Sequence, residues 1–243
     1  MNRVTAGFFS MSHRATSGDD RPYLEWHQLD HMPEQYQIPG IVLGQRWAST
    51  AACREARLVA TGSWSEVEHV VCYLMGEPLE PTVDEFFALG RHLADVGRFP
   101  LSLPSQYVGC LGIVEARAAA RVLVSAEVIP FRPHRGIYLI VEDAAGGSGQ
   151  GGRPERAHLG VLSDLNAVPG VAGTWTFATG DTIRSPRFTS GEYRMTICYL
   201  DDEPAAVGAR IGSVLHPLVT DPTSRLVLAA PFESMMQWDW NRF

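Results

Sequence analysis

The chain has 243 residues, 45% of them hydrophobic, enough to bury a full core as one large domain or two small ones. Its formal net charge is −7, from 20 basic and 27 acidic side chains, and no Lys/Arg cluster interleaved with aromatics occurs, which argues against nucleic acid as a partner. No apolar run approaches the ~18 residues that cross a bilayer, and the first residues lack the pattern of a signal peptide, so a cytoplasmic protein with no membrane partner is expected.

Gly7 to His13 has the β-rich texture of a strand, and Ser17-Gly18-Asp19-Asp20 after it reads as a loop that caps a helix. That helix runs from about Tyr23 to Gln37, with Pro33 predicted to kink or divide it and Pro39-Gly40 to end it. Ile41 to Ser49 and Arg57 to Trp64 read as extended segments, either two strands or one long interrupted strand, and Glu68 to Met75 as an apolar third strand. A second helix starts at Pro81, with Phe86, Phe87, Leu89, Gly90 and Leu93 on one face, and Gln106 to Glu115 supplies the last strand of this half.

The second half repeats the order. Strand Gly136 to Glu142 is followed by a helix around Glu155 to Ala167 and strands Val171 to Thr179 and Tyr193 to Leu200. A helix around Ala205 to Leu215 and strand Arg225 to Phe232 complete it. The loop Gly146-Gly147-Ser148-Gly149-Gln150-Gly151-Gly152 lacks both the GxGxxG register and a Walker Lys-Ser/Thr, so it reads as a linker rather than a phosphate cradle.

Short motifs recur as well. Ile38-Pro39-Gly40-Ile41 before Trp47 returns as Val168-Pro169-Gly170-Val171 before Trp175, displaced by 130 residues at the proline. Cys72-Tyr73-Leu74 returns as Cys198-Tyr199-Leu200, displaced by 126. Duplication is the expectation: residues 1–117 form one unit, 118–133 a linker and 134–243 a second unit. The four cysteines show no CxxC spacing, and Cys72 and Cys198 fall at equivalent repeat positions, so all four read as reduced structural thiols.

A β-α-β-β-α-β order is the ferredoxin-like split motif, with two helices on one face of an antiparallel sheet and the other face needing a cover. Two such repeats can cover each other. The expected fold class is α+β, two tandem ferredoxin-like repeats packed as an intramolecular α+β barrel.

At Trp26-His27-Gln28-Leu29-Asp30-His31-Met32-Pro33-Glu34, followed by Pro39-Gly40 and Trp47, the chain resembles the dimeric α+β barrel superfamily and, within it, the EthD-like proteins. The match covers the first half; the second half shares only Pro169-Gly170 and the element order. The resemblance implies a barrel fold and one of several chemistries: cofactor-free cyclases and monooxygenases, muconolactone-type isomerases, or haem enzymes such as chlorite dismutases. Fold analogy does not choose among them.

The halves differ where chemistry would sit. With the offset of 130, His27 corresponds to Ala157, His31 to Val161 and Glu34 to Asp164. An inward polar group in place of an apolar one needs a partner or a ligand. His27 and His31, four apart on one helical face, with Glu34, are therefore the candidate catalytic set. His31 is the acid/base group for a lyase, isomerase or cyclase step on a carbonyl or aromatic metabolite. His13, Trp26, Arg46, Trp47, His69 and His92 are candidate substrate-binding residues; for Trp47, matched by Trp175, shared core packing is the competing reading. A structural role for His31, a metal site from His27, His31 and Glu34, and a haem bound by His158 or His216 remain alternatives. No cofactor is expected, the partner is a small-molecule substrate, and pairing with a second copy stays open. The large side chains of 235–243 are expected to dock on a domain or subunit interface.

Overall fold

The first strand, β1 (Ala6–Ser12), sets the plan of the molecule because its two faces are both apolar. Phe9 and Met11 point to one side, into a core cluster with Trp47, Trp175 and Tyr199; Ala6 and Phe8 point to the other, into a cluster with Phe86 and Val83. A strand buried on both faces needs a layer on each, and the chain supplies them by closing its sheet around one side and covering the other with helices. In this computed structural model residues 3–144, 161, 163–180, 183, 185–222, 224–235 and 238 are described.

After β1 come α1 (Arg21–Trp26), a π-helical turn (His27–His31) and α2 (Met32–Gln35). They are followed by β2 (Ile41–Ala48), α3 (Ala51–Glu55) and the two-residue β3 (Val59–Ala60). β4 (His69–Met75), α4 (Leu79–Asp95) and β5 (Ser105–Ala118) complete the first half. The second half contains β6 (Gly136–Asp143), β7 (Val171–Ala178), β8 (Tyr193–Leu200), α5 (Pro204–Val219) and β9 (Leu226–Ser234). Residues 163–167 are helical. Most of the helix expected over 155–167, the glycine-rich loop, Ala157 and His158 lie outside the described residues, as does most of the C-terminal aromatic segment.

The strands pair antiparallel in the order β2-β4-β1-β5-β7-β8-β6-β9, and β9 pairs back to β2 through Trp47↔Ser234 and Ala48↔Glu233. Eight strands thus close a barrel, leaving no open edge among them, while β3 hangs on the outside of β9. The fold is a mixed α and β one, an antiparallel barrel with few helices. Within each half the strands follow the same internal order, and β5 to β7 and β9 to β2 are the two seams.

Two expectations need correcting. Arg57 to Trp64 is not a barrel strand: Thr50 caps α3 by accepting from the Cys53 N–H, and the chain then gives only β3 and a 3-10 turn, Gly62–Glu66. The equivalence of Cys72 and Cys198 also fails. Trp47 sits opposite Val70 and Trp175 opposite Ile197, so Val71, not Cys72, is the counterpart of Cys198. Cys72 accordingly faces the barrel core, whereas Cys198 faces outward against Val207 and Ile211 of α5. A one-residue slip reverses the face of every side chain, so a recurring Cys-Tyr-Leu string need not mean a shared environment.

Candidate active site

The site lies between the outer face of β2 and β4 and the α1-π-α2 segment. Pro33 explains the shape of that segment. It has no N–H to offer the preceding turn, and the Met32 N–H instead reaches back five residues to the His27 carbonyl. The helix widens by one residue rather than breaking. Such π-turns concentrate at functional sites. Here the turn brings the His27 and His31 rings to 5.4 Å between centroids, with His31 stacked on Trp26 at 4.9 Å and met edge-on by Phe99 at 4.8 Å.

The sheet contributes the opposite wall. Arg46 pairs with Val71 across β2 and β4, so His69 and Tyr73, two residues to either side of Val71, share its outward face. Arg46 is 5% exposed, and its guanidinium lies over the Tyr23 ring at 4.9 Å. All three guanidinium nitrogens are buried without a hydrogen-bond partner among the described residues. So are Nδ1 of His27, His31 and His69 and the Tyr73 hydroxyl. A buried cation left unpaired is costly, and here the groups around it are also unspent.

The partners that do exist fix proton positions. The Gln35 amide lies 2.8 Å from His31 Nε2 and, donating there, leaves the His31 proton on Nδ1. Asp20 Oδ2 lies 3.0 Å from His69 Nε2; a carboxylate only accepts, so Nε2 carries the His69 proton and Nδ1 keeps its lone pair. Asp20 stands at the cap of α1 but makes no cap bond with its side chain, which accepts from His69 and from the Ala15 N–H at 2.6 Å.

All three imidazoles are neutral near pH 7. Burial, then the charge of Arg46, holds His31 at about 4, and the same causes with the neighbouring histidines push His27 well below its ordinary value. Burial also brings His69 to about 4, against the raising effect of its bond to Asp20 and with Arg46 adding to the fall. Burial alone would raise Asp20; the bonds from His69 and Ala15 and the nearby positive charges outweigh it and take the carboxyl to about 2. The dyad is therefore an ionised Asp20 and a neutral His69. Burial raises Tyr73, so its hydroxyl stays protonated.

Not every predicted site residue joins this cluster. His27, His31, Trp26, Arg46 and His69 are together. Glu34 instead pairs with Arg98. His13 contacts Gln106 and Glu66 at the end of β1, and His92 is exposed on α4. Trp47 points into the barrel, fully buried, and donates its Nε1–H to His134 at 3.0 Å. Asp20, Tyr23, Gln35 and Tyr73 belong to the cluster and were not read from the sequence. An open groove of about 520 Å³ lies elsewhere, between α3 and α5, lined by residues such as Arg57, Leu58, Gly212 and His216, and none of the cluster residues reaches it. His216 is exposed there at the end of α5, which does not suit a buried axial haem ligand. Among the described residues no group of three or more His, Cys, Asp or Glu is placed to hold a metal.

The second half is an internal control. By strand register, Arg46 corresponds to Thr174, His69 to Thr196 and Ala48 to Thr176. These threonines are buried too, but they are satisfied: Thr176 bonds Thr196 at 3.0 Å, and Thr174 accepts from Asn166 at 2.9 Å. These three threonines spend their hydroxyls on one another or on Asn166, whereas the Arg46 guanidinium has no hydrogen-bond partner among the described residues.

No protein-family model and no curated protein sequence matches the chain. Solved structures share its fold. It is similar to an anthrone oxidase-like protein at a TM-score of 0.54 and 9% identity, covering 97% of this chain and 94% of that one. It is similar to a proposed chlorite dismutase at 0.56 and 10%, covering 96% of each. A proposed monooxygenase from Fusobacterium nucleatum subsp. nucleatum matches at 0.51 and 9%, over 97% of this chain and 94% of that one. At such identities the likeness is one of fold, the α+β barrel.

Proposed function

We propose that the chain is a small-molecule enzyme that moves a proton on a carbonyl or aromatic substrate in the Arg46 pocket, without a cofactor. The observation that carries this reading is Arg46 itself, a buried guanidinium with all its nitrogens unspent beside three neutral histidines. A fixed cation in a site shielded from water stabilises negative charge as it develops on oxygen. His31, with its proton on Nδ1, acts on the acid side by donating to that oxygen; Trp26, Phe99 and Tyr23 supply apolar walls for a ring or chain. The similar structures, named as an oxidase-like protein, a chlorite dismutase and a monooxygenase, support a reading of this general kind.

The finer fold reading belongs with it. The repeated strand order and the matched Trp47 and Trp175 support two copies of one ferredoxin-like unit, 1–117 and 134–243, with one working pocket and one closed. The EthD-like motif around His31 supports placement in that branch.

The test is solvent deuterium incorporation, read by proton NMR, into a panel of enolisable ketones and electron-rich phenols. Exchange above buffer that falls by at least ~100-fold in both Arg46→Met and His31→Ala is expected, the size of a typical acid-base contribution. Exchange that is the same in wild type and both variants would remove the pocket from the reaction.

A further inference from the structure

We propose that His69 is the proton acceptor of this pocket and that Asp20 is the residue that positions it, so that the substrate class is one that loses a proton from a phenolic or enolic oxygen beside Arg46. This rests on the pocket reading above and adds the accepting atom and the class of compound.

The Asp20–His69 pair is nearly enclosed, with both side chains 2% exposed. A purely structural histidine at such burial spends both ring nitrogens, because an unpaired buried polar atom is costly. His69 spends one. Its Nε2–H goes to Asp20, and its Nδ1 lone pair is buried with no partner among the described residues. Asp20 is held in turn by the Ala15 N–H and, at 3.3 Å, by Arg14 Nε. It gives up capping α1 in favour of this arrangement. Three of the buried groups then divide the work. His31 offers an N–H, Arg46 offers fixed positive charge, and only His69 offers a lone pair oriented by a carboxylate. In the second half the position of His69 is taken by Thr196, whose hydroxyl is bonded to Thr176.

The step balances within these residues. The substrate O–H bond breaks, its electron pair stays on oxygen as a phenolate or enolate beside the guanidinium, and the proton forms the Nδ1–H bond of His69. Asp20 then faces an imidazolium that it stabilises without taking the proton. Return of the proton to a carbon of the enolate would complete an isomerisation.

Two measurements on the full chain test this. Nitrogen-15 NMR of the His69 ring at neutral pH is expected to show Nε2 protonated and Nδ1 bare in the wild type; a proton on Nδ1 overturns the proposal whether or not any variant folds. The second uses 4-nitrophenol, whose phenolate absorbs in the visible, added below its own solution pKa. The wild type is expected to convert bound probe to phenolate. In Asp20→Asn the Ala15 N–H keeps the amide oxygen on its side, so the NH2 faces Nε2, donates to it and forces the proton onto Nδ1; binding then persists while the phenolate fraction falls by at least ~10-fold. An unchanged phenolate fraction in Asp20→Asn, with probe binding lost in Arg46→Met, overturns the dyad and leaves the pocket standing. Equal probe binding by wild type and Arg46→Met removes the pocket reading and this proposal with it.

Discussion

Replacing Arg46 by methionine should stabilise the unliganded protein, although Arg46 is 5% exposed and most substitutions of buried residues destabilise. An uncompensated buried charge costs on the order of 3 kcal/mol, judged from what is lost when one partner of a buried pair is removed. The Arg46 guanidinium has no hydrogen-bonding partner among the described residues, and its compensating contact is the Tyr23 face at 4.9 Å, worth about 1 kcal/mol. Methionine keeps the apolar stem in its packing and discards the charge. The difference is a gain of about 2 kcal/mol, which in a chain of this length raises the melting temperature by about 4–8 °C. Differential scanning calorimetry reads it, with Arg46→Lys as the control that keeps a charge and should show no gain. A melting temperature lowered by a comparable amount in Arg46→Met would refute the reasoning, because it would mean the guanidinium is satisfied in the free protein.

Other outcomes follow from the same geometry. His27, His31 and His69 have folded pKa values below the unfolded value of about 6.5. The unfolded chain therefore binds more protons between about pH 6.5 and about pH 4, and stability falls as pH drops through that window. His31 and His69 contribute about 3 kcal/mol each; denaturant midpoints measured from neutral pH downward check this, and a flat profile would contradict the neutral cluster. Glu34→Gln should cost no more than ~1 kcal/mol and leave ligand binding at the histidines unchanged, since the Glu34 carboxylate is spent on a largely exposed Arg98; a large loss of binding would return Glu34 to the site. Trp47→Ala should cost about 3–5 kcal/mol in urea unfolding because Trp47 is fully buried in the barrel core and holds His134, whereas a loss below ~1 kcal/mol would contradict that placement.

The sequence carried the element order well because each strand and helix has its own local signal. Alternating or continuous apolar runs mark β1, β4 and β8, and Pro39-Gly40 and Pro169-Gly170 mark the entries to β2 and β7. The contrast between His31 and Val161 pointed to one half. Four things were not legible. Which face a strand residue takes is set by pairing register, Trp47 on Val70 and Trp175 on Ile197, so a string match could not reveal that Cys72 and Cys198 face opposite ways. Pro33 signals a broken helix, and only the backbone shows that a π-turn absorbs it. Asp20 has the local pattern of a helix cap, while its actual partner, His69, is 49 residues away in sequence. The importance of Arg46 was hidden for a similar reason: its type and position were visible, but the emptiness of its hydrogen-bonding shell is a property of the packed structure.

The central claim is that the Arg46 pocket binds an oxyanion of an organic molecule, and paired calorimetric titrations address it most directly. 4-Nitrophenolate and nitrobenzene differ only in the phenolate oxygen, so the difference in their affinities isolates the oxyanion. The wild type is predicted to favour the phenolate by at least ~10-fold, the worth of one charge-assisted hydrogen bond, and Arg46→Met to lose that preference. Equal affinity of the wild type for both compounds, or a preference that survives in Arg46→Met, would contradict the account.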